Sequence, residues 1–277
     1  MLPHDDNLVK AFNAHYGHSE VGDRIRRALE TAGADLERLA VTDLAPFDHL
    51  HGGGKSTTLH LARLAGVTPG LRIADLGGGI GGPARTLAAE FGCTVDVVDF
   101  TEEFCRVGTW LTDLTKLERQ VHFYHASALQ TPLSTGAYDL VWMQNTGMNI
   151  NDRNALYAEV SRLLRPGGQY ALQEVMVGPV SPVFYPQGWA STAETSFLYP
   201  PDEVHGFITA AGFRKREWVD ITEETAADLR QRATHPGGNT RTAVYTPGDL
   251  SGQITDNTRR NYAENRIVHM LGVFEKR

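Results

Sequence analysis

The sequence predicts a doubly wound α/β fold, a mostly parallel sheet with helices on both faces. Three observations carry that expectation. From residue 72 onward short apolar runs alternate with longer helical stretches, and strands separated by helices need crossover connections, which make neighbouring strands parallel. The boundaries are punctuated: Pro83 suits the first turn of a helix, where its missing N–H has no partner to lose, and Gly92 suits the left-handed residue that ends one. The run Thr94–Asp99 is rich in valine, whose branched side chain favours a strand.

Taken in order, residues 8–16, 24–32 and 57–65 read as helices of an N-terminal cap. A strand over 72–76 and a helix over 83–91 follow, then a strand over 94–99, a helix over 102–117 and a strand over 121–125. Strand 138–143, helix 153–164 and strand 168–173 complete the alternation. The segment 175–201 holds Pro179, Pro182, Phe184, Tyr185, Pro186, Trp189, Phe197 and Tyr199, too apolar for a linker and expected to fold over a pocket. A helix over 202–211, ended by Gly212, precedes two final strands over 213–221 and 267–274. Trp142 falls inside a strand and is expected in the core.

Composition narrows the function. A chain of 277 residues with 41% hydrophobic and 21% charged side chains forms a buried core, which excludes wholesale disorder and fibrous architecture. With 26 basic against 33 acidic side chains the net charge is -7, so neither nucleic acid nor an anionic membrane is the expected partner. Cys93 and Cys105 make no disulfide framework and no zinc pattern, and the 11 histidines form no metal-like cluster, so no metal is expected. Residues 1–20 contain no apolar run long enough for a signal peptide or membrane helix, which leads to a cytoplasmic expectation.

The most specific motif is Asp75-Leu76-Gly77-Gly78-Gly79-Ile80-Gly81-Gly82 at a strand-to-helix junction. Glycines there permit a tight turn and bring a ligand against main-chain N–H groups, which points to a nucleoside-type ligand. Gly77, Gly79 and Gly82 satisfy G-x-G-x-x-G, and Asp99 follows Gly77 by 22 residues, where a ribose hydroxyl would be held. That spacing permits a nicotinamide dinucleotide. Asp75 shifts the balance, because a carboxylate sits awkwardly beside a pyrophosphate and comfortably beside an ammonium group. His51-Gly52-Gly53-Gly54-Lys55-Ser56-Thr57 fails as a phosphate loop, since position 49 is His49 rather than glycine. It leads into a helix whose N-terminus could hold a carboxylate.

These pieces resemble the class I S-adenosylmethionine-dependent methyltransferases. The order matches: residues 75–82 after the first strand, Asp99 ending the second, Tyr138-Asp139-Leu140-Val141-Trp142 as the fourth, and Leu164-Arg165-Pro166-Gly167-Gly168 before the fifth. Phe47-Asp48-His49-Leu50-His51-Gly52-Gly53-Gly54 further resembles the branch of sarcosine and dimethylglycine N-methyltransferases and ubiquinone or menaquinone C-methyltransferases. The resemblance implies S-adenosylmethionine as cofactor and S-adenosylhomocysteine as product. It implies the methionine part on Asp75, Gly77, Gly79 and Gly81, the ribose hydroxyls on Asp99, and the adenine near Phe100, Ser127 and Ala128. Many relatives carry an aspartate where this chain has Ser127, so adenine selectivity is expected to rest more on backbone and packing.

Gln144 is expected at the cofactor, and Asn145, Met148, Tyr185 and Trp189 at the acceptor. Glu174 is the expected acid or base, and Tyr16 is placed by the resemblance near the sulfonium. Glu174 has a competing reading as a carboxylate bonded to backbone N–H groups, and Tyr16 one as a helix packing residue. The organisation expected is one domain, 1–277, with a helical cap (1–70), a cofactor-binding core (71–174), a lid with sheet completion (175–265) and a final strand (266–277). The acceptor expected is a small hydrophobic or aromatic molecule, with a small amine as the alternative; a homodimer stays open.

Overall fold

The computed structural model describes residues 20–234 and 250–277. Its centre is a seven-stranded sheet of β1 (Arg72–Leu76), β2 (Thr94–Asp99), β3 (Val121–His125), β4 (Tyr138–Gln144), β5 (Leu164–Val177), β6 (Phe213–Asp220) and β7 (Ile267–Lys276). The order is β3-β2-β1-β4-β5-β7-β6, parallel from β3 through β5, with β7 antiparallel to both β5 and β6. Strand order reverses between β1 and β4, the kind of switch point at which open α/β sheets bind ligands.

The described helices are α1 (Val21–Thr31), α2 (Val41–Asp48), α3 (Gly54–Leu64), α4 (Gly82–Phe91), α5 (Glu102–Leu114), α6 (Arg153–Leu163), α7 (Pro201–Ala210), α8 (Thr222–Ala233) and α9 (Leu250–Ala263). One sheet face packs Ile73, Val97 and Trp142 against Leu61 of α3 and Leu87 of α4. The other packs Val98, Met143 and Leu172 against Tyr157 and Val160 of α6 and Ile208 of α7. Helices α1, α2 and α5 share a third core through Ile25, Leu44, Phe47 and Val107.

The punctuation behaves as its chemistry dictates. Pro83 lies in the first turn of α4, and Gly92 ends that helix at φ 67° with its N–H on the Ala88 carbonyl at 2.9 Å. Asp152 caps α6 by accepting the Ala155 N–H at 2.9 Å. Several boundaries differ from the sequence expectation by one to four residues, and two elements show why. Helix α5 stops at Leu114 rather than 117, because Lys116 turns left-handed at φ 59° and the Leu117 N–H returns to the Thr112 carbonyl. Strand β5 starts at Leu164 and runs on to Val177, past its last parallel partner Gln144, because β7 pairs with it in the opposite direction from Gln169 to Val177. Helices α2, α8 and α9 escape the sequence reading. Pro46 sits inside α2 and argues against a helix there, while α8 and α9 are polar stretches whose apolar contacts are few, such as Ala226 and Ile254. The helix expected over 8–16 lies outside the described residues.

Candidate active site

The glycine turn after β1 is built from its own backbone. The Gly77 N–H donates to the Val98 carbonyl at 2.7 Å and the Gly81 N–H to the Gly78 carbonyl at 2.9 Å. Gly79 sits at φ 57°, a left-handed conformation costly to any side chain, and its N–H donates to Asp99 Oδ2 at 2.8 Å. The second Asp99 oxygen accepts the Thr101 N–H at 2.8 Å. One carboxylate thus ties the turn to the start of α5 and keeps lone pairs for a ligand. Burial raises the Asp99 pKa, opposed by those two N–H groups.

Asp75, at the end of β1, is 1% exposed and its Oδ2 has no hydrogen-bond partner. Burial, and then the negative charge of Asp99, push its carboxyl up to about 8. A buried carboxylate oxygen without a donor is costly alone and suited to a ligand that brings one. An ammonium group meets that need, so the residues present fit S-adenosylmethionine: Asp75 for its ammonium, Asp99 for its ribose, and the Gly77–Gly81 turn for its methionine part. Ser127 turns its Oγ back to accept the Leu129 N–H at 3.2 Å, Ala128 packs against the core, and Phe100 is half-buried with its carbonyl bonded to His125 Nε2.

The loop before α3 is anchored by a buried charge cluster. Arg85 Nη2 donates to Asp48 Oδ2 at 2.9 Å, His49 Nδ1 lies 2.7 Å from Asp48 Oδ1, and His49 Nε2 reaches Thr86 Oγ1 at 3.2 Å. Burial works to raise the Asp48 carboxyl, but His49 and Arg85 outweigh it and hold it at about 2. The cluster fixes residues 48–54 over the start of α4, and the glycine turn follows the same helix back to β1. Thr146 closes the other side, donating from Oγ1 to the Gly77 carbonyl at 3.1 Å.

Beyond β4 the structure gathers residues that are far apart in sequence. Gln144 is buried: its Oε1 accepts from Trp142 Nε1 (2.9 Å) and Thr58 Oγ1 (3.1 Å), and its Nε2 donates to Gln173 Oε1 (2.5 Å). Its polar atoms are therefore engaged with protein partners rather than turned wholly to the cofactor. Gln173 Nε2 donates to the Gly52 carbonyl at 2.8 Å. Asn145 is half-buried at φ 52°, with its N–H on the Gln173 carbonyl and its Oδ1 2.9 Å from His269 Nε2. Met148 and Trp189 join Val175, Ala226, Tyr262 and Ile267 in one apolar cluster, with Tyr185 partly buried against it. Trp189 Nε1 donates to Ser196 Oγ at 2.9 Å.

Two expected residues are placed differently. Glu174 lies fully buried in an ion pair with Arg153 Nη2 at 2.5 Å, and its Oε2 has no partner. Arg153 also donates to the Phe197 carbonyl and lies over the Tyr199 ring. The carboxylate is thus held by a guanidinium rather than by backbone N–H groups. Phe184 does not join the apolar cluster; it lies between the guanidinium groups of Arg260 and Arg266, 4.0 and 4.2 Å from its ring centre. Tyr16 lies outside the described residues.

Sequence reasoning missed Arg85, Arg153, Tyr262 and His269. The signal for His269 was its strand: Ile267, Leu271 and Val273 share its parity and all are buried, so the histidine between them points inward too. No group of three metal-ligating side chains occurs among the described residues, and among them no helix is long and apolar enough to cross a membrane.

Residues 73–168 match the family model described as a methyltransferase domain. The chain is 27% identical to Methyltransferase GfsG of Streptomyces halstedii over 66% of this chain and 67% of that protein. It is 30% identical to the glycine/sarcosine/dimethylglycine N-methyltransferase of Actinopolyspora halophila, over 47% of this chain and 23% of that protein. It is 25% identical to the sarcosine/dimethylglycine N-methyltransferase of Halorhodospira halochloris, over 68% of this chain and 64% of that protein. In fold it is similar to geranyl diphosphate C-methyltransferase from Streptomyces coelicolor, with TM-score 0.71 and 19% identity across 99% of this chain and 98% of that one. The fold and these matches define the class: residues 73–168 form a methyltransferase domain on the class I fold, and the site built there fits S-adenosylmethionine. The dinucleotide reading of the glycine spacing gives way to that assignment. The relatives methylate acceptors as different as glycine derivatives and geranyl diphosphate, so the class leaves the acceptor open.

Proposed function

We propose that this enzyme methylates a small acceptor with an apolar or aromatic body, held against the cluster of Met148, Tyr185, Trp189 and Tyr262 beside Asn145. One observation carries the reading. The wall is apolar, and Glu174, the buried acid beside it, gives one carboxylate oxygen to Arg153. A dimethylglycine-type amine needs little aromatic surface and gains from an anion or an aromatic cage. Bound S-adenosylmethionine supplies an activated sulfonium methyl group, and a nucleophile held in line with it at short range needs little further help. The chain's own work is therefore placement. Asp75 and Asp99 fix the two ends of the cofactor, Thr146 ties the acceptor side of the turn to Gly77, and the apolar wall excludes water. Glu174 acts as a positioning residue through Arg153, which anchors the Phe197 carbonyl of the segment bearing Trp189.

The test is turnover of sarcosine and dimethylglycine beside phenolic, quinone and heteroaromatic acceptors. Methylation of members of the second group is expected. Efficient turnover of the glycine derivatives alone overturns the reading in favour of the amine.

A further inference from the structure

Residues 178–190, which follow β5, belong to neither a helix nor a strand, so their inward-facing backbone groups need partners from elsewhere. At Phe184 the partner is one side chain. Asn261, fully buried in the last turn of α9, accepts the Phe184 N–H on Oδ1 at 2.9 Å and donates from Nδ2 to the Phe184 carbonyl at 3.0 Å. The amide stands in for a neighbouring strand. Its orientation is fixed, because a backbone N–H can only donate and a carbonyl can only accept.

Further contacts join the same two pieces. Gln187, also fully buried, donates from Nε2 to the Phe184 carbonyl at 2.8 Å. Thr258 Oγ1 of α9 shares its hydrogen between Gln187 Oε1 and the Ile254 carbonyl, 2.9 and 2.8 Å away, and Asn257 Nδ2 donates to the Pro186 carbonyl at 3.2 Å. Apolar packing alone would let the segment slide along the helix. Two directional bonds to one residue admit one position.

This joint carries the acceptor wall. Tyr185 follows Phe184, and Trp189 sits in the turn that Gln187 and Ala190 close with backbone hydrogen bonds of 2.8 and 3.3 Å. Tyr262 follows Asn261. The three aromatic residues of the wall thus come in two sets, one on each side of the Asn261–Phe184 bonds.

We infer that Asn261 is a specificity-determining positioning residue: it locks the Tyr185–Trp189 side of the acceptor wall to the Tyr262 side, so the site meets its acceptor with a spacing already set and admits flat ring systems in preference to thick ones. The inference rests on the acceptor position proposed above.

The experiment uses the full-length protein saturated with S-adenosylhomocysteine and two apolar alcohols as probes, flat 1-naphthol and cage-shaped 1-adamantanol. Calorimetry is expected to give the unmodified protein a preference for 1-naphthol of about tenfold or more. Asn261→Asp keeps the size and the acceptor for the Phe184 N–H but sets a carboxylate oxygen against the Phe184 carbonyl. It should cut the preference to about threefold or less, with S-adenosylhomocysteine affinity unchanged. The ratio decides, because a lower folded fraction weakens both probes alike. A preference unchanged in Asn261→Asp, or absent from an unmodified protein that binds both probes, overturns the inference and leaves the apolar acceptor reading standing. Failure of the unmodified protein to bind either probe overturns that reading and the inference with it. Should Asn261→Asp fail to fold, hydrogen exchange of the unmodified protein decides. The Phe184 amide is expected to exchange as slowly as those of residues 257–261 in α9, and exchange about tenfold faster or more overturns the lock.

Discussion

The two halves of the site are made in different ways. On the cofactor side, Asp75, the glycine turn and Asp99 lie within 25 residues of one another, and most of the contacts are to backbone N–H groups. On the acceptor side, Asn145, Trp189, Tyr262 and His269 come from four separate stretches, and the contacts run between side chains. The first half is a property of one strand–turn–helix unit. The second exists only when β5, β7 and α9 have assembled. A local motif can therefore fix the cofactor while the acceptor varies by substitution at scattered positions.

The same contrast governs the buried charges. Asp48–Arg85 clamps the cofactor side and Glu174–Arg153 the acceptor side, and both pairs are fully or almost fully buried. Removing one partner of such a pair strands the other charge, at a cost of about 3–5 kcal/mol. Asp48→Ala and Glu174→Ala should each lower unfolding stability by that order in urea titrations. They should differ in calorimetry: the Asp48 variant loses affinity for S-adenosylhomocysteine as well, whereas a Glu174→Gln protein keeps it and loses acceptor turnover. Equal losses of cofactor affinity in the two variants would mean that the halves are one unit. Acid should separate them too. The Asp48 carboxyl is held at about 2 against its ordinary 3.8, so its stabilisation is complete at neutral pH and is lost as the pH falls from about 4 towards 2.

A smaller effect is expected at Asp99. Its two backbone hydrogen bonds and its remaining lone pairs suit it to the ribose contact proposed for it, and charge-assisted bonds are worth about 1.5–3 kcal/mol. Asp99→Ala should weaken S-adenosylmethionine binding roughly tenfold to a hundredfold. Circular dichroism should show the fold retained. Unchanged calorimetric affinity in a folded variant removes Asp99 from the cofactor site and leaves it only the tie between Gly79 and Thr101.

How much of this was legible follows the same division. Residues 72–99 could be read almost to the residue, because Pro83, Gly92 and the glycine turn each demand one local conformation. The C-terminal part of β5 was cut short, because its last residues pair only with β7, nearly a hundred residues later. Glu174 was legible as a strand-end acid, but its partner Arg153 was not, since nothing in the sequence says that the start of α6 lies against the end of β5. His269 was written off among unrelated histidines. Its inward parity was visible; the three polar groups at its ring were not, because tertiary packing alone brings Tyr262, Gln173 and Asn145 together there.

The smallest predicted effect is also the most specific to the cofactor half. Asp75 has its pKa raised to about 8 from an ordinary 3.8, by burial and by Asp99. The sign is opposite to that of Asp48. Between about pH 4 and pH 8 the unfolded chain gives up this proton while the folded one keeps it, so this group makes the ligand-free protein less stable as the pH rises through that window. At neutral pH Asp75 is mostly protonated. An ammonium group set against Oδ2 favours the charged form and draws the pKa back down, so cofactor binding should release up to about one proton near pH 7 and none above about pH 9. Titrations of S-adenosylhomocysteine in phosphate and in Tris measure this directly, because the apparent enthalpies differ by the buffers' ionisation heats multiplied by the protons released. Asp75→Asn should abolish the difference and weaken binding, yet leave the ligand-free protein at least as stable at pH 8, since no buried charge has to be made. Identical enthalpies in the two buffers with the unmodified protein would assign the ammonium to another partner, and the unsatisfied oxygen of Asp75 would need a different ligand.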